Sequence, residues 1–262
     1  MEFWENDNLI HSFANVKSIQ IETIDHCNRK CPWCPNKDRE TNPDHLMDTK
    51  TFNRILDELD SLNFDGRIHP YLNGEPLLDN RLPDMIATIR NRFPQNIIFI
   101  STNGDFLTRE TVGRLFEKGL SELLIMDYDD SGKFEEYKYD KRIDVMRRNE
   151  GICWYNRAGQ VDVACPNPRD LCEWMFQKVY VNYRGDVILC CSDFNSTVIH
   201  GNIMKSTLLN IWLSPQYKTY RIAHFLRSGD TLPLCDKCNR IKRSYHGQIR
   251  EGYGIQRSGS EM

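Results

Sequence analysis

The chain has no apolar run approaching the ~18 residues of a membrane span. Its first residues carry acids, not the basic and apolar blocks of a secretory signal. It also lacks an excess of basic charge: 34 Lys and Arg stand against 37 Asp and Glu, a net charge of −3. Bulk electrostatics therefore give no reason to expect a nucleic-acid partner. Internal repeats and low-complexity tracts are missing too, so neither a solenoid nor a disordered scaffold is expected. These absences lead us to expect a soluble, cytoplasmic protein with no membrane partner. At 262 residues, one large domain or one domain with a small appendix is expected, enough to bury a full core.

What the chain does have is cysteine, ten in all. In a reducing compartment that number is odd unless the thiols bind metal. Seven of the ten fall into two sets with ligand-like spacing. The first lies in His26 to Pro35, H-C-N-R-K-C-P-W-C-P, which places Cys27, Cys31 and Cys34 in a C-x3-C-x2-C pattern. Three soft thiolates this close together suit zinc or an iron–sulfur cluster. Structural zinc normally takes four ligands, so this trio leaves it one short. A cubane held by three cysteines has one iron open, which suits chemistry better than structure. Plain packing of the three thiols, or a zinc knuckle, is the bland alternative.

The second set is Cys172, Cys190, Cys235 and Cys238. Four thiols fill every position on a zinc ion or every iron of a cubane, and a filled cubane is suited to carrying electrons. The segments Lys178–Asn182 and Val187–Cys191 read as a hairpin around Tyr183-Arg184-Gly185-Asp186. That geometry returns Cys190 towards Cys172. If the second strand is regular, Cys191 points to its other face and is the weaker ligand candidate. A zinc-stapled appendix is the competing reading. Cys153, Cys165 and Cys191 have no assignment and are most simply small buried hydrophobes.

Between the two sets, strand and helix alternate. Ser18–Ile24 alternates apolar and polar residues as a strand does. Thr51–Leu62 carries an amphipathic stripe at Phe52, Ile55, Leu56, Leu59 and Leu62. Arg67–Leu72, Asn96–Ser101 and Leu123–Met126 read as further strands. Leu82–Phe93 and Thr108–Lys118 read as helices, the latter with Gly119 as its C-cap. Asp127–Arg148 is charged and hard to assign, with a short helix over Phe134–Lys141. Ser214-Pro215 opens a helix reaching about Leu226. Asn239–Met262 reads as a solvated end. The alternation predicts an α/β fold: a partial (β/α)6 TIM-like barrel, its site at the C-terminal strand ends. A small C-terminal β-hairpin plus helix domain follows. We expect domains at 1–165 and 166–262.

The first cysteine loop resembles that of the radical S-adenosylmethionine (SAM) enzymes. The C-terminal part is similar to the shortened SPASM region called a twitch domain, on Cys172, Gly185-x4-Cys190, Gly201-Asn202-Ile203, Ile211-Trp212 and Cys235-x2-Cys238. A full SPASM domain would need three more cysteines. The resemblance extends through Cys34-Pro35-Asn36, Gly74-Glu75-Pro76-Leu77-Leu78 and Thr102–Thr108, hence over most of the chain. It is weakest over Asp127–Leu171.

The resemblance implies two 4Fe-4S clusters and SAM as cofactors, with SAM cleaved reductively to a 5'-deoxyadenosyl radical. It implies SAM contacts at Gly74, Glu75 and Pro76, at Ser101, Thr102 and Asn103, and at Trp33, which would lie against the adenine. Asn73 stands where many members have Gly, so its side chain is expected to affect substrate choice. Asn156-Arg157-Ala158-Gly159 resembles the Asn-Arg-Gly-Gly of members that oxidise cyclitols, which implies that Arg157 orients the substrate hydroxyl. An arginine rarely gives up its own proton, so a relay through a partner or water is expected.

The leading expectation is a biosynthetic dehydrogenase of the natural-product type, of which antibiotic biosynthesis is the example. It would act on a cyclitol, sugar or nucleoside and pass an electron to the auxiliary cluster. A flavodoxin- or ferredoxin-type protein would supply reducing electrons. The alternatives are an epimerase with a cysteine hydrogen donor, a peptide-modifying enzyme and a zinc module without catalysis. Residues 1–17 leave little room for a peptide-recognition domain, which counts against the second.

Overall fold

The computed structural model describes residues 11–148, 155–164 and 171–241. Its first half is built from strand–helix units, as the apolar periodicity requires. β1 (Ser18–Ile21) is followed by α1 (Thr49–Ser61), β2 (Arg67–His69), α2 (Leu82–Arg92), β3 (Phe99–Thr102), α3 (Arg109–Glu117) and β4 (Glu122–Asp127). Asp48 caps α1 by accepting the Thr51 N–H, and Thr108 caps α3 by accepting that of Thr111. Gly119 ends α3 with φ +104°, as expected of a C-cap glycine.

The charged stretch after β4 holds the expected short helix, a 3-10 helix over Glu135–Tyr139. It then forms β5 (Ile143–Arg147), which pairs parallel with β4. That strand is hard to read because Ile143 is its one buried residue. β5 lies at the end of the β3-β4-β5 sheet and covers little apolar surface.

The C-terminal part begins with a one-turn helix, α4 (Trp174–Gln177), then β6 (Lys178–Val181), β7 (Asp186–Ile188), β8 (Ile199–Asn202), α5 (Leu208–Trp212) and α6 (Pro215–Phe225). β7 stops at Ile188, so Cys190 and Cys191 follow the strand and do not lie within it. Gly201 and Asn202 end β8. The expected domain boundary at residues 165/166 lies outside the described residues.

β6 pairs parallel with β1, Ser18 opposite Lys178 through Ile21 opposite Val181. β1 pairs parallel with β2, and a single bridge, Ile68 to Ile98, carries the sheet on towards β3. The result is a curved array ordered β5-β4-β3-β2-β1-β6, all parallel, with β7 and β8 added antiparallel beyond it. The sixth parallel strand of the open barrel therefore comes from the C-terminal region.

The main core packs Phe52, Ile55, Leu56 and Leu59 of α1 and Leu82, Ile86 and Ile89 of α2 against Ile19, Ile21, Ile68 and Ile100 of the sheet. Each such side chain contributes roughly 1.5–3 kcal/mol by burial. A second cluster gathers Met175, Tyr180, Ile188, Leu189, Val198 and Tyr220 around Cys172, Cys190 and Cys235. The smaller core is thus organised around thiols.

Candidate active site between two cysteine centres

The parallel strands deliver their loops to one end of the barrel. The loop after β1 carries Cys27, Cys31 and Cys34. It is stitched by Cys34 N–H to Cys31 O (3.0 Å) and by the Lys30 ammonium, which donates to the carbonyls of Asn36 and Arg39 at 2.8 Å each. The Asn36 amide donates to the Asn73 carbonyl at 2.8 Å, which ties this loop to the one after β2. Gly74 lies so close to it that a Cβ would stand 2.2 Å from the Ile24 carbonyl oxygen, so only glycine fits.

Glu75 holds the third loop. Its carboxylate is buried and accepts from the Thr102 hydroxyl (2.5 Å), the Asn103 N–H (2.9 Å) and the Leu77 N–H (3.1 Å). Burial raises its pKa, and these hydrogen bonds oppose the shift. Asn103 in turn donates to Asn28 Oδ1 at 2.9 Å and lies 3.9 Å from Cys27 Sγ. Arg29 reaches outward to Asp105 and Asp129. The Arg29 guanidinium and, after it, the Asn28 amide hold the Asp105 carboxyl at about 2, against the cost of partial burial.

These loops enclose a cavity of about 220 Å³. Cys27, Cys31, Cys34, Trp33, Gly74, Glu75, Ser101, Thr102, Asn103 and Arg157 all line it, as does Asn73. Pro76 does not reach it. It begins a 3-10 helix, Pro76–Leu78, for which Glu75 is the cap. The wall also includes Asn36, Tyr71, Leu72, Tyr128 and Phe194, which the motifs did not single out. Tyr128 was discoverable, since it directly follows a parallel strand. Phe194 was not, because it arrives from the C-terminal region. A larger and more open groove, about 740 Å³, lies between α3 and the 3-10 helix. It is lined by Arg109, Phe116, Glu136 and Arg142, and no cysteine or strand end reaches it.

The second cysteine set converges as well. Cys172, Cys190, Cys235 and Cys238 line one cavity of about 20 Å³ with His224 and Arg240. Burial raises the pKa of each of these thiols. The main-chain N–H of Ser192 lies 3.4 Å from Cys190 Sγ, and those of Trp174 and Arg240 act on Cys172 and Cys238 in the same i+2 relation. Such N–H groups stabilise thiolate and cluster sulfur. Among the described residues no group of three His, Cys, Asp or Glu side chains is spaced to hold a single metal ion. Four thiols lining one cavity are the donor set that a cubane takes.

Cys191 does not line either cavity. It is half-buried, with its sulfur 3.7 Å from the Tyr155 hydroxyl. Cys190 and Cys191 do diverge, but because the chain turns after β7, with Asp193 N–H bonding back to Cys190 O (3.0 Å), and not through strand alternation. Cys153 and Cys165 lie outside the described residues.

Between the centres runs the turn Asn156-Arg157-Ala158-Gly159. Arg157 (φ +48°) and Ala158 (φ +56°) are both left-handed, which costs about 1–2 kcal/mol per residue. The turn is held to the second centre by a reciprocal pair: Asn156 N–H to Asn239 Oδ1 (2.8 Å) and Asn239 N–H to Asn156 Oδ1 (3.0 Å). Arg157 lines the larger cavity and its neighbour Ala158 lines the smaller. Arg157 Nη1 donates to the Tyr155 hydroxyl at 2.5 Å, and the guanidinium lies 4.5 Å from that ring's centroid. Burial disfavours the cation, and the Tyr155 and Cys191 groups beside it outweigh burial, so it remains charged.

An open thiol trio beside a strand-end pocket and a sealed thiol quartet together fit an iron–sulfur enzyme with one open and one closed centre. The sequence matches the Radical SAM superfamily over residues 21–126 and the SPASM iron-sulfur cluster-binding domain over residues 172–239. The chain thus carries a radical SAM core, which takes SAM and a 4Fe-4S cluster, and a SPASM region for auxiliary iron–sulfur.

Among particular relatives, it is 28% identical to the S-adenosyl-L-methionine-dependent 2-deoxy-scyllo-inosamine dehydrogenase of Niallia circulans. That likeness covers 85% of this chain and 92% of the relative. It superposes on the crystal structure of BtrN in complex with AdoMet and 2-DOIA with a TM-score of 0.77, 27% identity, and coverage of 87% and 94%. A likeness of fold alone extends to Streptococcus suis SuiB bound to the precursor peptide SuiA, with TM-score 0.56, 13% identity, and coverage of 90% and 73%. No helix among the described residues is long and apolar enough to cross a membrane.

Proposed function

We propose that the protein is an oxidoreductase that dehydrogenates a hydroxyl-bearing carbon of a small substrate of the cyclitol, sugar or nucleoside class. The observation that carries this reading is the shared wall: consecutive residues, Arg157 and Ala158, line the two cysteine cavities. The 28% identical dehydrogenase relative supports the reaction class. The cofactors would supply a hydrogen-abstracting nucleoside radical on one side and a one-electron acceptor on the other. In balance, the substrate loses one hydrogen atom to the nucleoside, one proton and one electron, and becomes a ketone.

The chain's own residues do the rest. Cys27, Cys31 and Cys34 would hold the catalytic cluster, and Cys172, Cys190, Cys235 and Cys238 the auxiliary one. Glu75 would accept from the SAM ammonium while it orders Thr102 and Asn103. Trp33, Ser101 and Asn103 complete that wall. Arg157 would orient the hydroxyl. It does not act as a base itself; the Tyr155 hydroxyl accepts from its Nη1 and holds the guanidinium in place, and water would carry the hydroxyl proton away. A flavodoxin- or ferredoxin-type protein would provide the starting electron.

Of the candidate thiol donors for the epimerase alternative, Cys191 is turned to Tyr155 and does not line the cavity, while Cys153 and Cys165 lie outside the described residues. Anaerobic turnover against cyclitols, sugars and nucleosides tests the proposal. The expected product is two hydrogens lighter than its substrate, with one 5'-deoxyadenosine formed per product. Regeneration of SAM in each cycle, or solvent deuterium in an unoxidised product, would count against it.

A further inference from the structure

We propose that His224 donates a hydrogen bond to the Cys235 sulfur and, together with the Arg240 guanidinium, sets how readily the auxiliary centre accepts an electron. This inference rests on the acceptor role proposed above and adds two residues to it.

His224 lies in the last turn of α6, with 2% of its surface exposed. Its Nε2 stands 3.4 Å from Cys235 Sγ. A cysteine that ligates iron is a thiolate and only accepts, so Nε2 carries the hydrogen. A Cβ at Gly229 would stand 2.3 Å from the imidazole Cε1, so the main chain there closes directly on the ring. Cys172, Cys190 and Cys238 face main-chain N–H groups, whereas Cys235 receives its donor from a side chain on a separate helix.

Arg240 brings positive charge to the same cavity, near Cys172. It stacks 3.8 Å from the Trp174 ring centroid and donates to Glu173 at 3.1 Å. Its charge acts on the Cys172 thiol. Hydrogen bonds to cluster sulfur and nearby cations favour the reduced state and raise the potential. At the trio of Cys27, Cys31 and Cys34 the Asn103 amide lies 3.9 Å from Cys27, and Arg29 is paired with two aspartates where Arg240 is paired with one glutamate.

The test is a potentiometric titration of the reconstituted full-length protein, with both clusters followed by electron paramagnetic resonance. The variants are His224→Phe, His224→Gln and Arg240→Gln, each with iron and sulfide counted. The expected result is a lower auxiliary potential in His224→Phe and Arg240→Gln, partial recovery in His224→Gln, whose amide can still donate, and no movement of the other cluster. An unchanged auxiliary potential with both clusters intact overturns the inference alone. So does loss of the auxiliary cluster from the Phe and Gln variants alike, which would make His224 a packing residue. A single cluster in the unsubstituted protein overturns the acceptor reading and this inference with it.

Discussion

The two cysteine centres differ in enclosure, and under the function proposed above that difference would separate chemistry from electron transfer. The first draws its thiols from one loop and its remaining wall from the ends of other strands, around about 220 Å³ of mixed polar surface. Its three cysteines are half-buried. The second gathers four cysteines from three segments, closes to about 20 Å³ and packs Met175, Trp174 and Ile241 against the sulfurs. Cys172, Cys190 and Cys235 there are buried. An open centre admits a cofactor and a substrate to its metal, while a sealed one lowers the local dielectric and exchanges only electrons.

The sharpest way to break the comparison is to remove ligands one centre at a time. Cys31→Ala should abolish SAM cleavage and lower bound iron from about eight to about four per chain. Cys235→Ala should also remove about four irons and yet leave 5'-deoxyadenosine formation in place while ketone formation collapses. The paired measurement is iron content with chromatographic yields of both products. If both variants lose nucleoside formation equally, the two centres are not functionally distinct.

Much of this division can be read in the sequence because cysteine spacing is local. C-x3-C-x2-C and C-x2-C each lie within one loop, so the first centre and half of the second follow from neighbours in the chain. The apolar periodicity of α1 and α2 likewise reports a one-sided helix face. Other features depend on tertiary closure. β5 offers one buried residue and carries no clear pattern. β6 was assigned to a separate hairpin, and only its register against β1 makes it a barrel strand. Phe194 and His224 become site residues because the C-terminal region folds back over the strand ends. Tyr155 as the partner of Arg157 depends on two successive left-handed residues, which no non-glycine sequence advertises.

Smaller effects sharpen the contrast within the open centre. Glu75→Gln keeps a hydrogen-bonding side chain and removes the charge that would meet an ammonium. Charged hydrogen bonds contribute about 1.5–3 kcal/mol, so SAM affinity measured by equilibrium dialysis should weaken by about ten- to a hundredfold, with the auxiliary cluster unaffected. Tyr155→Phe removes the acceptor of the Arg157 hydrogen bond. Ketone formation should slow by about tenfold while SAM binding is unchanged. Equal losses in both would mean that Tyr155 supports the pocket as a whole.

The smallest effect concerns the outer face of the open centre, where Asp105 links the cysteine loop to the loop after β3 through Arg29 and Asn28. Arg29 holds the Asp105 carboxyl at about 2, below the roughly 3.9 of an unfolded aspartate. A depressed carboxylate contributes its stability above the unfolded value and loses it as pH falls through the folded value. Thermal stability of the unsubstituted protein should therefore decline between about pH 4 and pH 2 more steeply than that of Asp105→Asn. Among the described residues no hydrogen bond or ion pair of Asp105 reaches the auxiliary centre, so Cys172→Ala should leave the difference between those two acid profiles unchanged. A difference that disappears in that background would show that the outer loops and the sealed centre are energetically coupled.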